Sequence, residues 1–386
     1  MTAPPVLPLA PRDTADVAAL LREAPAHGAP LRMVAGGGWL DAGRPVASQA
    51  VPVSLDALRG IVAYVPGDLT LTARASTTLA EIEAATRAHG QWLPLDPVAG
   101  PAATVGATLA TASFGAMAAE AGHPRDVALG LEVVDGRGVV ARAGGRVVKN
   151  VAGFDLVRLH TGAWGSLGVI TEVTVRLQAR PVHEGTVALP CTGDPGALET
   201  LLAALRGAPI TRIASALLDA ARAEALGLGR HDVLLVRLGG NARAVAAQGR
   251  LVRALAPEGH DAPAACWEAL RVPEPAGTWT LRVSQRPSGL AALWHAVGAT
   301  LAAVPGASRL ALAGRGIVRV TLPATAPVAE VVRALRALGA VVGERLPPAA
   351  WALVPAPEDR LSRGVRDAFD PCAILNPGIL TAVGAP

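Results

Sequence analysis

The most regular pattern of apolar and polar positions lies between residues 169 and 178. Alternate positions there form two sets, Val169, Thr171, Val173, Val175 and Leu177 in one, and Glu172, Thr174, Arg176 and Gln178 in the other. Successive side chains of a strand point to opposite faces, so this pattern predicts a strand with one buried face.

Helical spacing alternates with shorter strands in the first part of the chain. Residues 14–23 carry apolar residues at helical intervals and predict the first helix. Thr78 and Glu81 have the spacing of a capping box and predict a second helix after them. Strands are predicted at 31–34 and near 69–73. This alternation is typical of an α/β or α+β domain.

From residue 126 the pattern is richer in strands. Residues 131–134 and 139–142 flank a turn sequence and predict a hairpin, and a short helix is predicted around 156–159. Pro181 marks a domain boundary. Beyond it we expect a second α+β domain, with an antiparallel sheet and helices on one face. Its predicted strands are 186–190, 232–239, 278–284 and 316–322, and its predicted helices are 195–206, 241–255, 287–303 and 326–338.

Composition narrows the class of protein. The 386 residues suffice for two or three domains, and we find no apolar run of about 18 residues that could cross a bilayer. The first twelve residues do not resemble a signal peptide, so we expect a cytoplasmic protein. The net charge of +4 comes from dispersed arginines and aromatic residues are scarce, which argues against nucleic-acid binding. The three cysteines form no C-x-x-C pair, which argues against a zinc or iron–sulfur site in this chain.

Two turns are candidate anion sites. Gly36, Gly37 and Gly38 follow the strand at 31–34, and glycine lets backbone N–H groups approach a phosphate closely. Thr104-Val105-Gly106 precedes a run of small residues, where a hydroxyl and free N–H groups at a helix start would form an anion site. The alternatives are a flexible turn in the first case and an ordinary N-capped helix in the second.

A third segment is more specific. It begins Lys149-Asn150-Val151-Ala152-Gly153-Phe154-Asp155-Leu156 and ends Gly168-Val169-Ile170-Thr171-Glu172. It resembles the K-N-x-x-G-Y-D-L…G-V-I-T/S-E segment of FAD-dependent 2-hydroxy-acid oxidoreductases, in the form typical of the FAD-binding subunits of bacterial glycolate oxidases. Asp370-Pro371 with Asn376-Pro377-Gly378 resembles that family's D-P-x-x-x-N-P-G ending, and Gln91-Trp92-Leu93-Pro94 resembles its G-Q-x-L-P.

The resemblance implies an α+β fold with a two-subdomain FAD-binding domain of the vanillyl-alcohol-oxidase or p-cresol-methylhydroxylase (PCMH) type. That domain would span residues 1–180 and be completed by 369–386. A smaller α+β cap domain would span 181–368 and lie above the flavin ring. The family's metal-binding histidine motif, G-H-x-G-D-G-N-x-H, has no counterpart here, so no metal is expected.

The resemblance also assigns roles to particular residues. The pyrophosphate of FAD would lie on Gly36, Gly37, Gly38 and Trp39 and on Thr104, Val105 and Gly106. Adenine-side backbone contacts would come from Gly168, Val169 and Ile170. Phe154, Asp155 and Asn376 would lie near or support the flavin, the alternatives for the first two being a core aromatic residue and a helix cap. Trp39 replaces the usual Ser or Thr, and Ala107 replaces a usual glycine.

The sequence does not identify catalytic residues. No histidine lies in 34–40 or 100–115, so FAD is expected to bind non-covalently. Hydroxy-acid oxidation needs a base and a cation for the substrate carboxylate. No base can be named, and the cap offers several arginines, for example Arg237, Arg282, Arg315 and Arg319, without distinguishing among them.

Three functional hypotheses follow. The chain is an FAD-binding subunit of a glycolate-oxidase-like complex, working with a catalytic flavin subunit and an iron–sulfur subunit on a small 2-hydroxy acid such as glycolate. Alternatively it is a structural subunit with weak or lost FAD binding, or a self-sufficient FAD-dependent 2-hydroxy-acid dehydrogenase. Contact with a membrane would be indirect, through a partner.

Overall fold

A computed structural model of the chain describes residues 9–145, 154–191, 194–256, 258–357 and 359–381. The chain folds as two compact units. Unit 1 comprises residues 1–114, 123–179 and 355–386, and unit 2 comprises 115–122 and 180–354. These units differ from the predicted domains at 115–122, at residue 180 and at 355–368, and the domain bounds stay a prediction. Over the described residues, every helix is too short or too polar to span a bilayer.

The element bounds follow chain order. The helices are α1 (Thr14–His27), α2 (Leu79–Arg87), α3 (Val105–Ala110), α4 (Ala118–Ala121), α5 (Pro124–Val127), α6 (Leu156–His160), α7 (Pro195–Gly207), α8 (Ala220–Ala225), α9 (Ala242–Arg253), α10 (Ala265–Ala269), α11 (Leu290–Leu301), α12 (Val328–Leu338) and α13 (Arg360–Phe369). The strands are β1 (Leu31–Val34), β2 (Val51–Ser54), β3 (Ile61–Val65), β4 (Thr70–Arg74), β5 (Gln91–Trp92), β6 (Ala128–Val134), β7 (Val140–Gly144), β8 (Val169–Arg176), β9 (Gln178–Ala179), β10 (His183–Cys191), β11 (Arg212–Leu218), β12 (Asp232–Gly240), β13 (His260–Asp261), β14 (Trp279–Ser284), β15 (Ser308–Leu312), β16 (Ile317–Leu322) and β17 (Ala340–Arg345).

Unit 1 is built on a five-stranded antiparallel sheet in the order β3-β4-β8-β6-β7. The alternation of β8 is confirmed, because Val173 and Val175 are fully buried while Glu172 and Thr174 are partly exposed. One core cluster joins the face of the sheet that carries Val173 and Val175 to α2 and α3. A second joins α1 to β1, which pairs in parallel with β2.

Local signals position α1 and α2 as the sequence predicts. Asp13 caps α1 by accepting a hydrogen bond from the Asp16 N–H, and Gly28 ends the helix with a left-handed backbone. The capping box of α2 is complete, since the Thr78 hydroxyl accepts from the Glu81 N–H and the Glu81 carboxylate accepts from the Thr78 N–H.

Unit 2 is built on an eight-stranded sheet in the order β13-β10-β12-β11-β15-β16-β14-β17. Every neighbouring pair is antiparallel, as predicted. Helices α7, α9, α11 and α12 contribute to one core cluster with alternate residues of the strands, so they cover one face. Strands β11, β13, β15 and β17 and helices α8 and α10 were not predicted.

The other face of this sheet carries buried charges at one end. Arg319 of β16 donates from Nη2 to the Glu274 carboxylate at 2.8 Å and from Nε to Glu344 at 2.6 Å. Arg222 and Arg282 add a further cation to each carboxylate, at 3.5 and 3.0 Å. Burial opposes ionisation of Glu274, but hydrogen bonds and charge from Arg319 lower its pKa to about 2. The five residues form a fully charged network.

His160 is a buried neutral side chain in unit 1. It lies at the end of α6 with its ring edge-on to Phe369, at a centroid distance of 5.5 Å. Burial lowers the pKa of His160 to about 4, against an opposing effect of the Asp135 carboxylate. The folded protein therefore holds this imidazole neutral at pH 7.

We expect this burial to make stability depend on pH. The folded pKa of about 4 lies below the value of 6.5 of an unperturbed imidazole, so the unfolded chain binds more protons between these values. The contribution is complete above pH 6.5 and is lost as the pH falls to 4, by up to about 3 kcal/mol. Denaturation of the wild type and His160→Phe at a series of pH values checks this. The wild type should lose up to about 3 kcal/mol of stability relative to His160→Phe as the pH falls from 6.5 to 4, and parallel curves would contradict the assignment.

Candidate functional site

Unit 1 contains a cleft that opens to solvent. It is bounded by the end of β1, the start of β8, helix α3 and the segments around residues 40, 164 and 376. Its lining includes Gly37, Trp39, Gly106, Gly168, Val169, Ile170 and Asn376 from the predicted site, together with Arg32, Met33, Leu40, Ala107 and Trp164. The structure thus brings seven of the predicted site residues together around one cleft.

The glycine turn lies beside the start of α3. Gly36 and Gly37 have φ of 61° and 72°, a left-handed backbone that glycine adopts without strain. A Cβ added to Gly36 would lie 3.1 Å from Cγ2 of Thr104, and one added to Gly38 would lie 2.9 Å from Cβ of Ala99. The two candidate turns, separate in sequence, are therefore neighbours in the fold.

The start of α3 is closed by internal hydrogen bonds. The Val105 N–H donates to the Thr77 carbonyl at 2.9 Å and the Gly106 N–H to the Ala75 carbonyl at 2.8 Å. Thr104 is the N-cap, and its hydroxyl accepts from the Ala107 N–H at 3.3 Å. The expectation of free N–H groups at this helix start is wrong for these three groups, because each already has a protein acceptor. Contact of Thr104, Val105 and Gly106 with FAD stays a prediction.

Gly106 nevertheless has a clear structural reason to be glycine. An added Cβ would lie 2.6 Å from Cβ of Ala75 and 2.8 Å from its carbonyl oxygen, closer than real Cβ atoms approach. The glycine lets α3 lie directly against the end of β4. This close contact shapes the wall of the cleft that Gly106 and Ala107 line.

Trp39, the departure from the family pattern, lines the cleft with Trp164. The two indoles pack edge to face, with ring centroids 5.9 Å apart. Trp164 has a positive φ of 54°, and its backbone N–H donates to the Ala110 carbonyl at 2.8 Å. Trp164 was not identified from the sequence, because its role depends on a partner 125 positions away that only the fold brings near.

Asn376 holds three segments of unit 1 together at the cleft. Its Oδ1 accepts from the Met33 N–H at 2.9 Å, and its Nδ2 donates to the Trp164 carbonyl at 2.8 Å. Its own N–H donates to the Leu31 carbonyl at 2.9 Å. A Cβ added to Gly165 would lie 2.7 Å from Nδ2. Both ends of the amide are therefore used inside the protein, and a supporting role beside the flavin stays a prediction.

Phe154 and Asp155 do not line the cleft. The Asp155 side chain caps α6 by accepting from the Arg158 N–H at 3.0 Å, the alternative that the sequence left open. Phe154 is 94% exposed, so the alternative of a core aromatic residue is wrong. A role near the flavin stays a prediction for both. Lys149, Asn150 and the rest of that motif through Gly153 lie outside the described residues.

The four arginines considered for a substrate carboxylate are all engaged within unit 2. Arg237 pairs with Glu184 at 2.6 Å, and Arg282 and Arg319 pair with Glu344. Arg315 donates from Nε to the Ala118 carbonyl at 3.1 Å. Among the described residues, no three His, Cys, Asp or Glu side chains converge as a metal site would require.

The residues of the cleft fit an extended dinucleotide. Glycines 37, 106, 165 and 168 are among the residues that line it, and a side chain at Gly106 or Gly165 would collide with a neighbour. The lining is mainly apolar with a few polar groups, as flat ring systems require. FAD would be held by this glycine-lined surface, with Asn376 fixing one wall.

Comparison with known proteins agrees with this fit. Residues 5–144 match the FAD binding domain family. The chain is similar to glycolate oxidase subunit GlcE of Escherichia coli, 44% identical over 140 residues, which are 36% of this chain and 39% of that protein. It is also similar to glycolate oxidase subunit GlcD of Bacillus subtilis, 30% identical over 46% of this chain and 38% of that protein. The similarity thus spans less than half the length of these relatives.

Solved structures with the same fold cover nearly the whole chain. A 4-ethylphenol oxidase from Gulosibacter chungangensis superposes with a TM-score of 0.71 at 17% identity, covering 96% of this chain and 88% of that one. p-Cresol methylhydroxylase superposes with a TM-score of 0.70 at 16% identity, covering 96% and 87%. The chain therefore has the α+β fold of these PCMH-type flavoproteins, and its residues 5–144 match an FAD binding domain.

Proposed function

We propose that the chain binds FAD non-covalently in the cleft of unit 1, as the FAD-binding subunit of a 2-hydroxy-acid oxidoreductase complex. The observation that carries the proposal is the convergence on one cleft of Gly37 and Gly106, from the segment that matches an FAD binding domain, with Gly168 and Asn376 from later in the chain. Relatives named as subunits of glycolate oxidase support the substrate class, and glycolate is the simplest 2-hydroxy acid.

In this proposal the main oxidation belongs to a partner flavin subunit, and an iron–sulfur subunit carries electrons onward. The four arginines considered for a substrate carboxylate have protein partners, which supports a chain that does not itself hold the substrate. The histidines also occur singly, outside the motif of the metal-dependent members. The chain would then pass electrons between the catalytic flavin and the iron–sulfur partner.

When bound, FAD supplies a ring system that accepts and releases electrons. The chain's own residues hold and enclose it. Gly37 and Gly106 permit close approach of the backbone, and Trp39 with Trp164 forms an apolar wall that keeps water from that side of the cleft. Asn376 fixes the spacing between β1 and the segment at Trp164.

We expect the purified chain to show a flavin absorption spectrum, or to acquire one when FAD is added. Because no histidine lies in the segments that would carry a covalent link, acid precipitation should leave all the flavin in the supernatant. A colourless protein that takes up no added FAD would contradict the proposal and favour the structural-subunit alternative, to which Trp39 and the closed start of α3 lend support.

The same preparation tests the hypothesis that the chain is a self-sufficient 2-hydroxy-acid dehydrogenase. The isolated chain with glycolate or D-lactate and an artificial electron acceptor should show no turnover, and activity should appear when the partner subunits are added. Turnover by the chain alone would instead identify a self-sufficient dehydrogenase.

A further inference from the structure

The charge on the lining of the cleft comes from one side chain. Among the described residues that line it, Arg32 alone carries a charge. FAD carries a pyrophosphate with negative charge, which must be compensated or left in water when the cofactor binds. This requirement rests on the proposed function, in which FAD binds in the cleft. How the charge of the pyrophosphate is compensated depends on which groups of the chain lie beside it.

Backbone donors near the glycine turn are largely committed. The Gly36 N–H donates to Oδ1 of Asp56 at 3.3 Å, and the Gly37 N–H donates to the Ala35 carbonyl at 2.8 Å. The three N–H groups at the start of α3 have the internal acceptors described above. Asp56 also brings a negative charge next to the turn. Dipoles of the backbone alone therefore offer little to an anion here.

Arg32 is positioned to supply the positive charge that the backbone does not. It lies on β1, four residues before Gly36. Its Nη2 donates to the carbonyl of Leu40, which follows the glycine turn in the chain. This bond fixes the guanidinium at the mouth of the turn, while its fork carries five N–H donors in all. Arginine matches phosphate oxygens in charge and in geometry.

We propose that Arg32 supplies the positive charge that binds the pyrophosphate of FAD, and so sets the affinity of this chain for phosphate-bearing flavins. The bond to Leu40 orients the guanidinium, and the remaining donors meet the phosphate oxygens. Arg32 is a binding residue in this assignment, with no part in electron transfer.

The test compares Arg32→Gln and Arg32→Lys with Arg87→Gln, which removes an exposed arginine of α2 whose partner is Glu83. Binding of FAD and of riboflavin, which lacks the pyrophosphate, is measured by flavin fluorescence at low and high salt. Loss of a charged hydrogen bond should weaken FAD binding of Arg32→Gln roughly 10- to 100-fold. Riboflavin binding should be unchanged, Arg32→Lys should keep most of the FAD affinity, and Arg87→Gln should match the wild type.

Two results would overturn the assignment. Equal FAD affinity of the wild type and Arg32→Gln would remove Arg32 from the site. Equal losses for FAD and riboflavin, with a lower thermal midpoint of the apoprotein and no rescue by lysine, would make Arg32 only a brace for the turn through Leu40. Both results differ from failure of the proposed function, in which the wild type itself binds no FAD.

Discussion

Asn376→Ala is expected to lower the free energy of unfolding of the chain by about 3–5 kcal/mol. The substitution removes two hydrogen bonds and leaves the Met33 N–H and the Trp164 carbonyl without their partner. It also forces alanine into a left-handed backbone, since the φ of Asn376 is 45°. Chemical denaturation followed by tryptophan fluorescence measures the loss.

The matched control is Asn241→Ala, which removes an asparagine that caps α9. It should cost about 1 kcal/mol, the usual value of an N-cap. Asn376→Gly separates the two causes, because glycine relieves the backbone strain and still loses both hydrogen bonds. FAD should be released more readily from Asn376→Ala, since β1 and the Trp164 segment lose their common tie. If Asn376→Ala and Asn241→Ala cost the same, Asn376 is no more than a local turn residue.

Arg319→Met is expected to destabilise unit 2 by about 3 kcal/mol. Glu274 and Glu344 would each keep one arginine but lose the shared cation between them. Both carboxylates are buried among the strands, and a buried charge that is only partly compensated is costly. Denaturation midpoints of the variant and the wild type give the difference.

Arg319→Lys tests the cause. Lysine keeps a cation between the two carboxylates but loses the fork of donors, so much of the lost stability should return. Arg87→Met is the exposed control, expected to change stability by no more than about 0.5 kcal/mol. An Arg319→Met variant as stable as the wild type, or an Arg319→Lys variant no better than Arg319→Met, would show that the network contributes little through charge.

The parts of the fold that follow from local rules could be predicted from the sequence. The alternation of β8 depends only on one face being buried, and the capping box of α2 satisfies its backbone groups within four residues. Strands β11 and β17 were missed because their sequences are rich in alanine or broken by glycine, and pairing with neighbours decides their conformation.

In the candidate site, too, the features that depend on local rules could be predicted from the sequence. The glycine turn was singled out because left-handed positions restrict residue type, and Asn376 was named through a resemblance to a family motif; their contact with FAD stays a prediction. The engagement of the N–H groups of Val105 and Gly106 could not be foreseen, since their acceptors lie on the segment before α2, about 30 residues earlier. Arg32 had a weak signal, a cation inside an apolar strand that leads into the glycines.

The bond between Met33 and Asn376 joins positions 343 residues apart. During synthesis on the ribosome, the strand at Leu31–Val34 emerges long before its partner residue exists. All of unit 2 is made in the interval and can fold first, in reverse of the usual order from the N-terminus. The wall of the cleft that this bond fixes can therefore form only after residue 376 has been synthesised, later than β1, α3 and the segment at Trp164.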